Sequence, residues 1–139
     1  LAEYLEETKG YARLEGYTKT MFGRRRHFPG IQSSAPFIRA QAERMAINAP
    51  VQGTAADAMR IAMNEVYAYI KKGKKQDSIH LLMQVHDELI FEIKDKDVEK
   101  EVQKLKEIME GVLEGQEDYG VPIVADTAVG ENWAELKEI

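Results

Sequence analysis

The run Leu81-Leu82-Met83-Gln84-Val85-His86-Asp87-Glu88-Leu89-Ile90-Phe91-Glu92 constrains the fold of this chain most. Two apolar, strand-like segments meet at His86-Asp87-Glu88. Asp is depleted inside strands and favoured in turns, so the acidic pair falls at the join of a tight antiparallel hairpin. A carboxylate at such a tip is carried on two rigid strands and can face a cleft. That arrangement suits the presentation of oxygen ligands to a hard cation such as Mg²⁺. An ordinary polar turn has the same composition, and this segment alone does not separate the two readings.

The 139 residues have the length of one domain and can bury a core. There is no cysteine, which excludes disulfides and thiolate metal sites. No apolar run is long enough to cross a bilayer, so no membrane partner is expected. The chain opens at Leu1 inside a helical pattern, which leads us to expect a piece of a longer protein.

Charge is unevenly spread. The whole chain carries −5, yet Arg13 to Arg44 holds seven basic residues against two acidic ones. Arg24-Arg25-Arg26 lies at the centre of that segment, with Arg39 and Arg44 after it. A basic segment in an acidic chain points to a polyanion-facing part. The arginine run alone is also compatible with a solvated turn.

The periodicity predicts a leading helix (1–16), a basic β-hairpin (17–30), a helix pair (35–72), and then the acidic hairpin, a helix and a last strand (79–129). In the hairpin of 17–30, Tyr17 to Phe22 alternates as a strand would, Gly23 turns, and Arg24 to Phe28 returns. Ser33-Ser34 offers caps for a helix beginning near Pro36. Pro50 blocks an interior helical hydrogen bond, so the helices are expected to run from Pro36 to Asn48 and from Pro50 to Lys71. A further helix, Asp97 to Gly115, carries Val98, Val102, Leu105, Met109 and Val112 on one side. The expected fold is α+β. One antiparallel sheet holds Ile79–Val85, Leu89–Ile93 and a strand within Val121–Val129, with helices on one face.

Four stretches carry a resemblance. They are Phe22-Gly23-Arg24-Arg25-Arg26, the block from Arg39 to Asp57 containing Arg44, Asn48, Gln52 and Gly53-Thr54-Ala55-Ala56-Asp57, then Gln84-Val85-His86-Asp87-Glu88, and the closing Gly130-Glu131-Asn132-Trp133. In this order and spacing they resemble the C-terminal end of the palm of family A DNA polymerases, the bacterial DNA polymerase I class. The resemblance covers essentially the whole chain.

It implies that Asp87 is a carboxylate ligand of the catalytic metal ions, that Glu88 is its supporting acid, and that His86 lies near the primer terminus. It implies that Arg44, Asn48 and Gln52 touch the primer–template through its minor groove. Their spacing of four is compatible with one helix face. Asn and Gln can test the groove's shared acceptors without reading sequence. A capped helix junction with ordinary polar residues would use the same residue types. Arg24, Arg25, Arg26, Arg39 and Arg44 are expected on one side of the molecule, against phosphates.

The implied reaction is attack of a primer 3′-hydroxyl on the α-phosphate of a dNTP during DNA replication or repair. Two Mg²⁺ ions about 4 Å apart, or Mn²⁺ in their place, would assist it. The implied setting is the cytoplasm at the nucleoid, with a viral or organellar origin left open.

The chain departs from the family pattern in lacking the second metal-binding Asp and the fingers helix that binds the triphosphate. One acidic hairpin cannot assemble a two-metal site. The chain alone is therefore expected to be inactive and to need the N-terminal polymerase portion. An exposed sheet edge would also favour self-association. The alternative reading is a non-catalytic module that binds duplex DNA, or a relic of such a polymerase.

Overall fold

The computed structural model describes residues 2–113, 115 and 120–139. They pack as two compact units, one ending at Asp57 and the next beginning at Ala58.

In the first unit, α1 (Ala2–Glu15) closes at Gly16. The φ of +77° there supplies the left-handed residue that ends a helix, and its N–H donates to the Ala12 carbonyl at 2.9 Å. Strands β1 (Tyr17–Lys19) and β2 (Arg25–His27) pair antiparallel, Tyr17 opposite His27 and Lys19 opposite Arg25. The hairpin is shorter than the alternation predicts because its loop closes early. Thr20 N–H donates to the Arg24 carbonyl, Thr20 Oγ1 accepts from Arg24 N–H, and Gly23 turns at φ +83°. Ahead of the long helix, Ser33 Oγ accepts from Ala35 N–H at 3.2 Å, a bond within the turn that precedes Pro36 and not one to the first-turn N–H groups.

That helix, α2, is continuous from Pro36 to Lys72 and contains Pro50. The break expected at Pro50 does not occur. A proline removes one interior hydrogen bond, at a cost of about 3 kcal/mol. The helical turns on both sides of it are intact, and Ala46 and Ala49 beside it are buried. The first unit's core is Ala12, Phe28, Ile31, Ala42, Ala46 and Ala49. Its alanines let backbones approach closely. Arg13 bridges from α1 to Glu43 of α2 at 2.7 Å.

The second unit holds the end of α2, strands β3 (Ile79–Val85) and β4 (Glu88–Ile93), and α3 (Val98–Glu110). Val66, Ile70, Ile79 and Leu105 form its core, with Tyr69, Phe91, Ile93 and Ile108 packed around them. Helix and hairpin thus share one apolar interface, as the stripes of the two helices require. A short 3₁₀ turn over Gly111–Leu113 extends α3, and position 114 lies outside the described residues, as does Leu1 of the leading helix.

Beneath this core lies a polar triad. Lys75 Nζ donates to Glu101 Oε1 at 2.5 Å and to the Tyr69 hydroxyl at 2.6 Å, and Tyr69 donates to Glu101 Oε2 at 2.7 Å.

The architecture is α+β, but the sheet differs from the one expected. Among the described residues β3 and β4 pair only with each other. The strand expected within Val121–Val129 reduces to β5 (Ala128–Val129), which pairs with β6 (Lys137–Glu138) at the C-terminal end. The reason is local. Pro122 has no N–H to offer a ladder, and the Ala125 N–H donates to Glu110 of α3 instead of to a strand. In the closing turn, Gly130 lies so close to the Glu135 backbone that a Cβ would sit 2.5 Å from its carbonyl oxygen. Asn132 Oδ1 caps that turn by accepting from Ala134 N–H.

Candidate catalytic hairpin and nucleic-acid interface

The β3–β4 hairpin places Val85 opposite Glu88, leaving His86 and Asp87 as a two-residue turn. His86, Asp87 and Glu88 are all exposed. The acidic pair therefore stands at a hairpin tip, as the apolar runs on either side predict.

One feature of this hairpin has no signal in its sequence. Register shifts between Leu81, opposite Phe91, and Met83, opposite Ile90. Leu82 is thus an extra residue on β3, a β-bulge that bends and twists the strand. Leu81-Leu82-Met83 is uniformly apolar, so no break in alternation marks it.

Asp87 and Glu88, consecutive at the tip, carry hard anionic oxygens, the donor type that Mg²⁺ prefers. They fit part of a metal site. Among the described residues no group of three or more His, Asp or Glu side chains gathers as a complete ligand set would.

In the first unit, the arginines divide their work. Arg24 folds back onto α2, its Nε donating to Asp57 Oδ1 at 2.7 Å and its Nη2 to the Gly53 carbonyl at 3.1 Å. Met21 N–H donates to Thr54 Oγ1 beside it. A Cβ at Gly53 would lie 2.6 Å from the Thr20 methyl, so glycine here lets the hairpin sit directly on the helix. The Gly53–Asp57 stretch is thus the seat of the basic hairpin. Arg39 likewise has an internal partner, the Ser33 carbonyl at 3.1 Å.

Arg25 and Arg26, neighbours on β2, face opposite ways, as strand geometry demands. Arg25 stacks over the Tyr17 ring at 4.7 Å, with Lys19 near the same ring. The Tyr11 phenol beside Lys19 holds its ammonium above the usual lysine value. Arg26 lies over Phe28 at 5.6 Å. It also helps line a cavity of about 210 Å³ with Thr18, Thr20, Arg24, Gln52 and Gly53. The expected single arginine face is therefore not formed by the run Arg24–Arg26. Alternation sets Arg25 apart from Arg24 and Arg26, which line the same cavity.

Arg44, Asn48 and Gln52 are all exposed on α2. Because α2 passes through Pro50 without a break, their spacing of four does place them along one face.

The model of DNA polymerase family A matches residues 1–135, and the chain belongs to that family. It is 43% identical over 135 residues to the DNA polymerase I of Rhizobium leguminosarum, covering 97% of this chain and 13% of that protein. To the thermostable DNA polymerase I of Thermus aquaticus it is 38% identical, covering 97% of this chain and 15% of that protein. Among solved structures, it is similar to the POL domain of Pol1 from M. smegmatis in complex with DNA primer-template and dNTP. There the TM-score is 0.75 with 40% identity, over 80% of this chain and 19% of that one. The chain spans about one seventh of the length of these two DNA polymerase I relatives.

Proposed function

We propose that this chain forms the C-terminal portion of the palm of a DNA-directed DNA polymerase and carries one side of its catalytic centre. The observation that carries this reading is the tight turn presenting Asp87 and Glu88 in a chain of DNA polymerase family A. Asp87 ligates catalytic Mg²⁺ and Glu88 supports it. When bound, such ions lower the pKa of the attacking hydroxyl and stabilise charge on the leaving oxygens. His86 lies beside the primer terminus. Arg44, Asn48 and Gln52 follow the minor groove of the primer–template, whose acceptors recur at every correct base pair. Arg25, Arg26 and Lys19 meet backbone phosphates. Arg24 and Arg39 hold the elements that present them.

The contribution of this chain is mainly positioning and charge. Two adjacent carboxylates leave a cation dependent on donors from elsewhere. The edges of the β3–β4 sheet, unpaired among the described residues and with Leu82 and Met83 exposed, offer a place for a further strand. The N-terminal palm and fingers would supply both the donors and the strand.

Primer extension tests the reading. The purified 139-residue chain should extend no primer. Fusion to the N-terminal portion of a family A relative should restore synthesis. Robust template-directed synthesis by the chain alone would overturn the proposal.

The phosphate contacts have their own measurement. In that fusion, replacing both Arg25 and Arg26 by Ala should weaken duplex binding by similar factors on unrelated sequences. It should also reduce the slope of log K against log salt by roughly 2. Fluorescence anisotropy over a salt series reads this directly. An unchanged slope would remove those two arginines from the interface.

A further inference from the structure

The turn that carries Asp87 is gripped by a residue outside it. His86 has φ +52°, while Asp87 is absent from the non-glycine residues at positive φ. Positive φ at the first central residue alone is the type II′ arrangement, whereas type I′ requires it at both. The two forms differ by rotation of the central peptide, the rigid plane joining the His86 carbonyl to the Asp87 N–H. Local preference opposes this form, because type II′ favours Gly at its first central position, where His86 stands, and Asp itself tolerates positive φ.

A second contact bears on that choice. Gln84 Nε2 donates to the His86 carbonyl at 2.5 Å. The acceptor belongs to the same central peptide. Gln84 is itself placed by the ladder, opposite Leu89. The bulge at Leu82 contributes to that placement. Beyond it, the cross-strand pairs put Gln84 and Leu89 on the same side of the hairpin as Leu81 and Phe91. Were Leu82 paired regularly instead of bulged, Gln84 would fall on the other side.

We propose that Gln84 is a positioning residue for Asp87. Its side-chain amide holds the 86–87 peptide in one orientation, and with it the direction in which Asp87 presents its carboxylate to the metal. This rests on the reading of Asp87 as a metal ligand. The role requires an N–H donor of this length on this strand. Met and Glu are close to Gln in size and cannot donate.

The test uses a full-length family A polymerase carrying this segment, with Gln84→Met, Gln84→Glu and Asp87→Ala compared. Mn²⁺ binding is followed by electron paramagnetic resonance, and the Mg²⁺ dependence of primer extension is measured beside it. Both Gln84 variants should bind Mn²⁺ roughly tenfold more weakly and need correspondingly more Mg²⁺ for half-maximal rate, the scale of effect expected when a ligand's supporting hydrogen bond is lost. KM for primer–template should stay unchanged, and circular dichroism should show an intact fold. Because the two variants differ in charge, agreement between them isolates the hydrogen bond. If Gln84→Met keeps wild-type Mn²⁺ binding while Asp87→Ala loses it, the positioning role is overturned and the metal assignment stands. If Asp87→Ala also keeps Mn²⁺ binding, both are overturned.

Discussion

Asp87→Ala, in a full-length polymerase carrying this segment, is expected to lower the primer-extension rate by roughly 10³-fold or more. Metal stabilisation of transition-state charge is worth several kcal/mol, and each ~1.36 kcal/mol is a factor of ten. The fold should survive, because Asp87 is exposed at a two-residue turn and packs in neither core. Binding of primer–template should change little, since its contacts are proposed to lie on α2 and the basic hairpin. Glu88→Ala should cost less than Asp87→Ala, in keeping with a supporting carboxylate. Single-turnover extension with each variant separates these cases. Near-wild-type synthesis by Asp87→Ala would remove the hairpin from the chemistry.

Lys75→Met is expected to cost about 2–3 kcal/mol of stability and roughly 5–10 °C in Tm. Glu101 is buried, and the variant leaves its carboxylate with only the Tyr69 hydroxyl. The estimate stays below that for a fully buried pair because the Lys75 side chain is 22% exposed. The pH dependence gives the sharper signature. Burial works to raise the Glu101 pKa, but hydrogen bonds from Lys75 and Tyr69 outweigh it and hold the carboxyl below its ordinary 4.5. That stabilisation is fully present above 4.5 and is lost as pH falls through the lowered native value. Lys75 is raised above its ordinary 10.5, first by its hydrogen bond to Glu101. Its contribution is present below 10.5 and is lost as pH rises through the raised value. In Lys75→Met the isolated carboxyl should titrate higher. The gap between wild type and variant should therefore be widest near neutrality and shrink below about pH 4.5. A gap independent of pH, read from thermal melts across that range, would show that packing and not charge joins Lys75 to Glu101.

The hairpin tip was legible because its information is local. Apolar runs flank an Asp, and both propensity and periodicity point to a turn. The seat of the basic hairpin was not legible, because Arg24 meets Asp57 thirty-three positions further along the chain and no local pattern encodes the meeting. Pro50 misled for the opposite reason. Its local rule is strong, and the packed alanines around it prevail. At 121–129 the apolar composition predicts a strand, but Pro122 and the Glu110 carboxylate take the segment out of the sheet. In the site itself, residue types were readable from sequence, whereas the division between Arg25, Arg26 and the anchored Arg24 needed strand geometry and a distant acid.

The bulge at Leu82 has a consequence for how this segment can tolerate change. In a regular hairpin, the side on which a tip residue stands is dictated by the parity of every residue between it and the core. One inserted residue cancels that dependence. The apolar positions from Ile79 to Leu81 answer to the core, and those from Met83 to Glu88 answer to a separate count begun at the bulge. Because Leu81 and Met83 already face consecutive β4 residues, Phe91 and Ile90, deleting Leu82 would close a regular ladder with every other pair kept, and would remove the bend rather than change the facing. Loss of one residue should therefore be tolerated better at Leu82 than elsewhere in the hairpin, where it shifts the register.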